Sequence, residues 1–360
     1  MRVLHLPSST GGNAWNLSQA ERKIGIDSRV LVTDQNYFGF NADMHADWNK
    51  NKYTYPLKAL RFYQKELDNY DVFHFNFGRT LFNYQHTQLD MLDLHLLKRK
   101  KKAIVFTYQG TDARLAGYSL QNYDISFYQQ LSEAELNKEI EADARRIYRM
   151  NKADKFADLI YTINPDLKNV LPQRTIFRPY TKLQLEEWEP KYSAYEKDEL
   201  VFAHAPTSRS KKGTDEIIKA IEQLRKEGKK VTFDLIENVP NIEARRRLER
   251  ADVVIDQIYI GWYGGLAVES MALGKPVVAY IRESDLIHIP KEMAKSIPII
   301  RVTPQSLYNT LEYIINHKEN LRKIARDSRD YVEKWHDSKN IAASIVKDYQ
   351  NILDNIKANI

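Results

Sequence analysis

The segment Ile258–Val278, IYIGWYGGLAVESMALGKPVV, concentrates the residues best suited to hold a phosphate. Gly261, Gly264 and Gly265 form a glycine-rich loop directly ahead of a predicted helix. Such a loop lets backbone N–H groups approach an anion, and the helix N-terminus adds partial positive charge. The amides of Gly264, Gly265, Leu266 and Ala267 are the candidate donors. Glu269 stands about one turn into the helix, where a carboxylate can accept hydrogen bonds from two ribose hydroxyls. A plain strand–turn–helix unit with glycines for close packing would use the same residues, and glycine spacing alone leaves the two readings even.

A second segment, Ala203–Thr214 (AHAPTSRSKKGT), also follows a predicted strand and precedes a helix. Arg209 can grip a diphosphate with its fork and Lys212 can meet it as a point charge. Alone, this reads as a solvated basic loop. Together with the loop Glu237-Asn238-Val239-Pro240, the two segments define one crevice able to hold a base, a ribose and a diphosphate. In the first half, polar residues stand at predicted strand ends or loops: Asn13, His74, Gln109, Asp112 and Arg114. Each has a structural reading as well. Asn13 fits a helix N-cap, His74 a hydrogen-bonded core histidine, and Asp112 with Arg114 a brace within one loop. The basic run Lys98–Lys102 reads first as a solvated helix end that complements the helix dipole, and second as a patch for anionic lipid.

These residues need a scaffold of strands that end in loops. Short apolar runs predict strands at Val3–Leu6, Arg29–Thr33, Asp71–Phe75, Ala103–Tyr108 and Leu159–Ile163. The second half repeats the theme at Leu200–Ala205, Val231–Ile236, Val253–Asp256 and Val277–Ile281. Helices are predicted at Asn13–Lys23, Asp215–Glu227, Ile242–Arg250, Leu266–Leu273 and Pro304–His317. Alternating strands and helices imply βαβ units and a parallel sheet covered on both faces. In such sheets ligands bind beyond the carboxyl ends of the strands, where the candidate loops fall. The polar, aromatic stretch Lys182–Glu199 breaks the rhythm and reads as a linker. Two domains are expected, 1–182 and 183–340. A helix over about 341–360 packs at the C-terminus, and its return to the first domain is the other reading.

The chain has 360 residues, 43% of them hydrophobic and 28% charged, enough for a full core in each of two domains. With no cysteine, disulfides, thiolate nucleophiles and cysteine-based zinc sites are excluded. The net charge of +6 is compatible with phosphates, nucleic acid or an anionic surface and selects none of them. No nucleic-acid motif is present, and no G-x-G-x-x-G follows the first strand. The apolar run after Met1 is short for a secretory signal, and no stretch approaches the ~18 apolar residues of a membrane span. A cytoplasmic protein is expected, with membrane contact, if any, peripheral to the inner face.

At Gly264–Val278 the sequence resembles glycosyltransferase family 4, the retaining GT-B enzymes: the glycine loop, the glutamate, the small-residue helix and the G-x-P-V turn all have counterparts. Arg209 and Lys212-Gly213 resemble the family's basic pair near the donor phosphates, and Gly11-Gly12 its N-terminal glycine loop facing the sugar. Asp71–Asn76 and Thr107–Arg114 resemble its D-V-x-H and T-x-H-G-x-D-x-R segments. The resemblance implies an α/β GT-B fold, two Rossmann-like doubly wound domains facing a central cleft. It implies a hexosyltransferase that takes a nucleotide-sugar donor, with Gly12 among the donor contacts. The acceptor would be a glycan, lipid-linked or small molecule met by Asn13, His74, Gln109, Asp112 and Arg114, in polysaccharide biosynthesis by family habit. Retention without a metal or other cofactor is also implied. Arg209, Lys212 and the amides of Gly264–Ala267 would stabilise the leaving diphosphate, whose oxygen takes the acceptor proton. Three positions depart from the pattern. Gly261 stands where the family has a first glutamate, so that the backbone or Trp262 and Tyr263 would shape the pocket. Gln109 replaces a histidine and cannot act as a general base. Arg209 sits closer to Lys212 than the usual spacing. A nucleotide-sugar 2-epimerase and a non-catalytic nucleotide-sugar or glycan-binding protein are the alternatives.

Overall fold

The computed structural model describes residues 1–33, 39, 41–46, 48, 54–84 and 89–358. The chain divides into two compact units, each built on its own parallel sheet.

The first unit comprises Met1–Leu115, Glu139–Gln184 and Asp337–Ile360. Its strands are β1 (Arg2–Leu6), β2 (Asp27–Val32), β3 (Met44–His45), β4 (Val72–Asn76), β5 (Ala103–Tyr108), β6 (Leu159–Thr162) and β7 (Ile176–Phe177). They lie in the order β3-β2-β1-β4-β5-β6-β7, with the reversal of direction at β1 that marks a doubly wound sheet. Every residue of β4 and β5 is buried, as expected of central strands covered on both faces. Alternation divides their side chains. Leu4, Leu6, Phe73, Phe75, Ile104 and Phe106 enter the core shared with the helices Tyr55–Glu66, Asp93–Arg99 and Glu133–Phe156. Val3, Val72, Val105 and Tyr161 face the opposite way, toward Leu17 and Ala20 of the helix Asn13–Lys23 and Ile341, Ile345 and Tyr349 of the helix Ser338–Ala358. This last helix therefore belongs to the first unit. Its Asp348 accepts a hydrogen bond from the Tyr161 hydroxyl at 2.7 Å and from Arg178 at 2.6 Å.

The second unit comprises Ala116–Lys138 and Leu185–His336. Its strands are β8 (Leu200–His204), β9 (Val231–Leu235), β10 (Val253–Ile255), β11 (Val277–Ala279) and β12 (Ile300–Arg301), ordered β12-β11-β10-β8-β9. The expected single boundary near 182 needs a correction: residues 116–138, expected in the first domain, belong to the second unit. Phe127 and Tyr128 of that segment complete a core with Phe202, Ile217, Ile258 and Tyr259, which is why it sits there. The predicted linker is also tied down. Trp188 and Tyr195 are buried, and the Arg245 guanidinium lies 4.2 Å from the Trp188 ring centre. Among the described residues no helix is long and apolar enough to cross a membrane.

Candidate functional site

In the second unit the loops after β8 and β10 are pressed together. After β8 the chain makes one helical turn, Arg209–Lys212, and passes through Gly213 into the helix Thr214–Lys226. Gly213 has φ +78°, and a Cβ there would lie 2.3 Å from Ile258 Cγ1. Only a residue without a side chain allows this approach in this left-handed conformation. The contact is reinforced by the Ile258 amide, which donates to the Lys212 carbonyl at 3.2 Å. Beneath the loops His204 is fully buried, with Nδ1 2.7 Å from the Ile255 carbonyl and Nε2 2.9 Å from the Thr214 hydroxyl. Burial lowers its pKa to about 4, so it is a neutral tie between strands.

This packing brings Lys212 to the glycine loop. Its Nζ lies 3.0 Å from Asp256 Oδ1 and also donates to Gln257 Oε1. Asp256 Oδ2 accepts the N–H of Gly264 at 2.6 Å. A methyl group added to Gly264 would stand 3.1 Å from the lysine nitrogen. Gly264 is the N-cap of the helix Gly265–Ala272, with Leu266, Ala267 and the partly buried Glu269 in its first turns. Neither Asp256 nor Gln257 was singled out from the sequence. The available signal was a strand run, VVID, that ends in a carboxylate just before a glycine loop.

Arg209 takes another direction. Half exposed, it faces Glu237 at 3.4 Å and Asp215 at 3.9 Å, and so borders the loop after β9. In that loop Asn238 is exposed at φ +55° and Val239 is partly buried. The loops carrying Arg209 and Lys212, Asn238 and Val239, and Gly264 thus follow the carboxyl ends of β8, β9 and β10, with β8 the middle strand.

Gly261 has a steric reason. A Cβ there would lie 2.6 Å from Arg282 Cβ and 2.7 Å from its guanidinium carbon. Arg282 is buried, bonds Asp285 at 2.9 Å and the Ile125 carbonyl at 3.0 Å, and lies 3.5 Å from the Tyr123 ring centre. An arginine thus fills the space beside the position where the family pattern has a glutamate. The expectation that Trp262 and Tyr263 line a pocket is corrected: both are fully buried, and the Tyr263 hydroxyl is bonded to Tyr331 and His336.

In the first unit most of the expected polar residues gather at the carboxyl edge of the sheet. The buried Gln109 amide donates to Asn76 Oδ1 and accepts from Asn13 Nδ2, both at 3.3 Å. Its carbonyl accepts from Asn164 Nδ2 at 2.6 Å, and Asn164 Oδ1 accepts the Tyr180 hydroxyl at 2.6 Å. Asn76, the last residue of β4, lies in the segment Asp71–Asn76 but has no site signal of its own, and Asn164 and Tyr180 have none beyond their positions after strands. Asp112 folds back on its own loop and accepts the N–H of Gln109 at 3.0 Å and of Gly110 at 2.6 Å. Burial nevertheless raises its carboxyl pKa to about 6. Gly12 precedes the cluster at φ +76°, and its carbonyl accepts from Asn16 at 3.0 Å.

Three first-unit readings change. Asn13 is not a helix N-cap. Gly12 occupies that position, and the Asn13 side chain turns to Gln109 instead of to a backbone amide. His74 does not belong to an accessible edge. It is fully buried, bonded to Tyr349 at 2.5 Å and Thr107 at 2.6 Å, and burial beside His5 holds its pKa well below the usual histidine value. Arg114 makes a bidentate pair with buried Asp166 at 2.6 and 3.1 Å, which commits its fork to the fold. In the basic run, Lys98 pairs with Asp158 at 2.6 Å and Lys102 donates to the Tyr70 carbonyl at 2.9 Å. Among the described residues no three His, Asp or Glu side chains are grouped to hold a metal ion.

No family model and no curated protein matches this sequence. Solved structures do resemble its fold. Sucrose-phosphate synthase from Thermosynechococcus elongatus aligns with a TM-score of 0.64 at 16% identity, over 99% of this chain and 100% of that one. HepE from Anabaena in complex with UDP aligns at 0.61 and 15%, over 98% and 100%. The UDP-GlcNAc 2-epimerase from Neisseria meningitidis, bound to UDP-GlcNAc, aligns at 0.53 and 14%, over 96% and 99%. The chain has the GT-B fold, an α/β architecture of two Rossmann-like units. Its neighbours of that fold include WaaG, a glycosyltransferase involved in lipopolysaccharide biosynthesis, as well as that epimerase.

Proposed function

We propose that this chain is a glycosyltransferase that moves a sugar from a nucleoside-diphosphate sugar to an acceptor, with retention of anomeric configuration. The observation that carries the reading is the Lys212 ammonium standing over the first turn of the helix Gly265–Ala272. An ammonium beside unpaired helix amides is an arrangement for a diphosphate. The expected amides of Gly264 and Ala267 are already bonded, to Asp256 Oδ2 and to the Gly264 carbonyl, whereas those of Gly265 and Leu266 make no hydrogen bond within the protein among the described residues and are assigned to phosphate oxygens. Glu269, one turn on, is assigned to the ribose hydroxyls, and Asn238 and Val239 to the base. Arg209 supplies a second cation once it leaves Glu237.

As the bond to the sugar breaks, negative charge grows on the departing diphosphate. Lys212 and the helix amides meet that charge with donors already in place, which lowers the barrier without a protein nucleophile. A phosphate oxygen takes the acceptor proton. The acceptor, a glycan, lipid-linked or small molecule, is assigned to the Gln109, Asn13 and Asp112 edge, and the Gly12 loop to the donor sugar. Polysaccharide synthesis is the setting this reading favours, with any membrane contact peripheral.

The test is calorimetric binding of UDP, GDP, ADP and dTDP, then turnover of the matching nucleotide sugars with and without acceptors. Lys212→Ala should lower kcat/KM by roughly 100-fold or more with the fold intact, as loss of a charge-stabilising donor does. Full activity in this variant rejects the role of Lys212. The likeness to a 2-epimerase favours one other reading, conversion of the donor alone. Acceptor-independent production of an epimeric nucleotide sugar would establish it.

A further inference from the structure

The buried carboxylate of Asp256 has no role in the reading above, yet it holds both the Lys212 ammonium and the N-cap residue of the helix that receives the diphosphate. One oxygen is 3.0 Å from Lys212 Nζ and the other accepts the Gly264 N–H at 2.6 Å. Asp256 is fully buried, and its own backbone N–H is fixed on the Val278 carbonyl at 2.9 Å, so the carboxylate is anchored from within the sheet. Gln257 supplies a second acceptor to Nζ, and its own Nε2 is fixed on the Trp262 carbonyl. An ammonium has three N–H groups. Two are taken by these anchored partners, which leaves one for a ligand, beside the amides of Gly265 and Leu266.

A free lysine is a flexible four-carbon stem with a large rotamer entropy. Here the stem is immobilised before any ligand arrives, and the charge it brings is balanced by a group that cannot move away. We propose that Asp256, helped by Gln257, is the positioning residue of this site. It holds the Lys212 ammonium over the helix start and neutralises it while the site is empty. The proposal rests on the donor-site reading above. It gives the charge balance a direction. A neutralised lysine attracts a diphosphate less strongly than a bare one, and binding strength is given up for a donor fixed in place.

The experiment is a double-mutant cycle on nucleoside-diphosphate binding. UDP, GDP, ADP and dTDP are titrated calorimetrically at fixed ionic strength into the wild-type chain, Asp256→Asn, Lys212→Ala and the double variant. Asp256→Asn keeps the side-chain shape and removes the charge. It should tighten binding of the preferred diphosphate by roughly threefold or more, because the lysine charge is unmasked. In the Lys212→Ala background the same change should alter binding by less than about twofold, since the two residues act as one unit. Gln257→Leu removes an acceptor without changing charge and should weaken binding by about threefold. Weaker binding in Asp256→Asn, or an equal effect with and without Lys212, overturns the proposal. If Asp256→Asn does not fold, unchanged binding in Gln257→Leu overturns it instead. Absence of any diphosphate binding to the wild-type chain removes the donor-site reading itself, and the proposal with it.

Discussion

Replacing Arg114 by alanine separates a structural arginine from a substrate-binding one. The side chains of Arg114 and Asp166 are 9% and 3% exposed, and two charge-assisted hydrogen bonds join them. Removing the guanidinium leaves a carboxylate buried without its partner, which costs about 3–5 kcal/mol. For a domain of this size each kcal/mol moves the midpoint of thermal unfolding by roughly 2–4 °C, so a fall of about 6–20 °C is expected for the first unit. Scanning calorimetry reads it directly. Adding Asp166→Leu to Arg114→Ala should recover at least about half of the loss, because the stranded charge is gone. Nucleoside-diphosphate affinity should stay within about twofold of wild type, since the loops proposed to hold the donor lie in the other unit. If Arg114→Ala unfolds within about 1 kcal/mol of wild type and loses only acceptor-dependent turnover, the arginine touches the acceptor and the structural assignment is wrong.

Gly213→Ala places a Cβ in left-handed backbone against Ile258, and a loss of about 2–5 kcal/mol by denaturant titration is expected. Gly261→Glu, which introduces the glutamate of the glycosyltransferase family 4 pattern, collides with Arg282; it should lower thermal stability, and Gly261→Glu combined with Arg282→Ala should recover part of it. The Asp112 carboxyl, raised to about 6, binds protons in the native state that an unfolded aspartate, near 3.9, has already released. Unfolding free energy should therefore fall as pH rises from about 4 to about 6, by up to about 3 kcal/mol. The contribution is fully present below the unfolded value and lost above the folded one. Asp112→Asn should flatten that part of the pH profile in chemical denaturation, and an unaltered profile would dismiss the burial argument.

The positions of the longer strands and helices were readable because buried parallel strands are continuous apolar runs. The strands predicted at Ala103–Tyr108 and Leu159–Ile163 match β5 and β6 to within a residue. The two-residue strands β3 and β7 are too short to carry a period. The segment 116–138 reads with its sequence neighbours because nothing local to Phe127 and Tyr128 states which core they join. The glycine loop and Lys212 were found as separate motifs. Their meeting depends on Gly213 and Ile258, a contact between residues 45 positions apart that no spacing rule reveals. His74 was ambiguous for a physical reason: a histidine in an apolar strand reads the same way whether its next shell is solvent or the hydroxyls of Thr107 and Tyr349.

The path of the chain has a consequence for synthesis on the ribosome. Residues 116–138 emerge with the first unit but find their apolar partners only after the strands of the second have been made. The helix Ser338–Ala358, which covers part of one face of the first sheet, emerges after every strand of both units. Neither unit can be finished by a contiguous stretch of nascent chain. Until that helix is made, Val3, Val72 and Val105 have Leu17 and Ala20 but lack Ile341, Ile345 and Tyr349, so the first unit should be completed late, at the slow pace of long-range contacts.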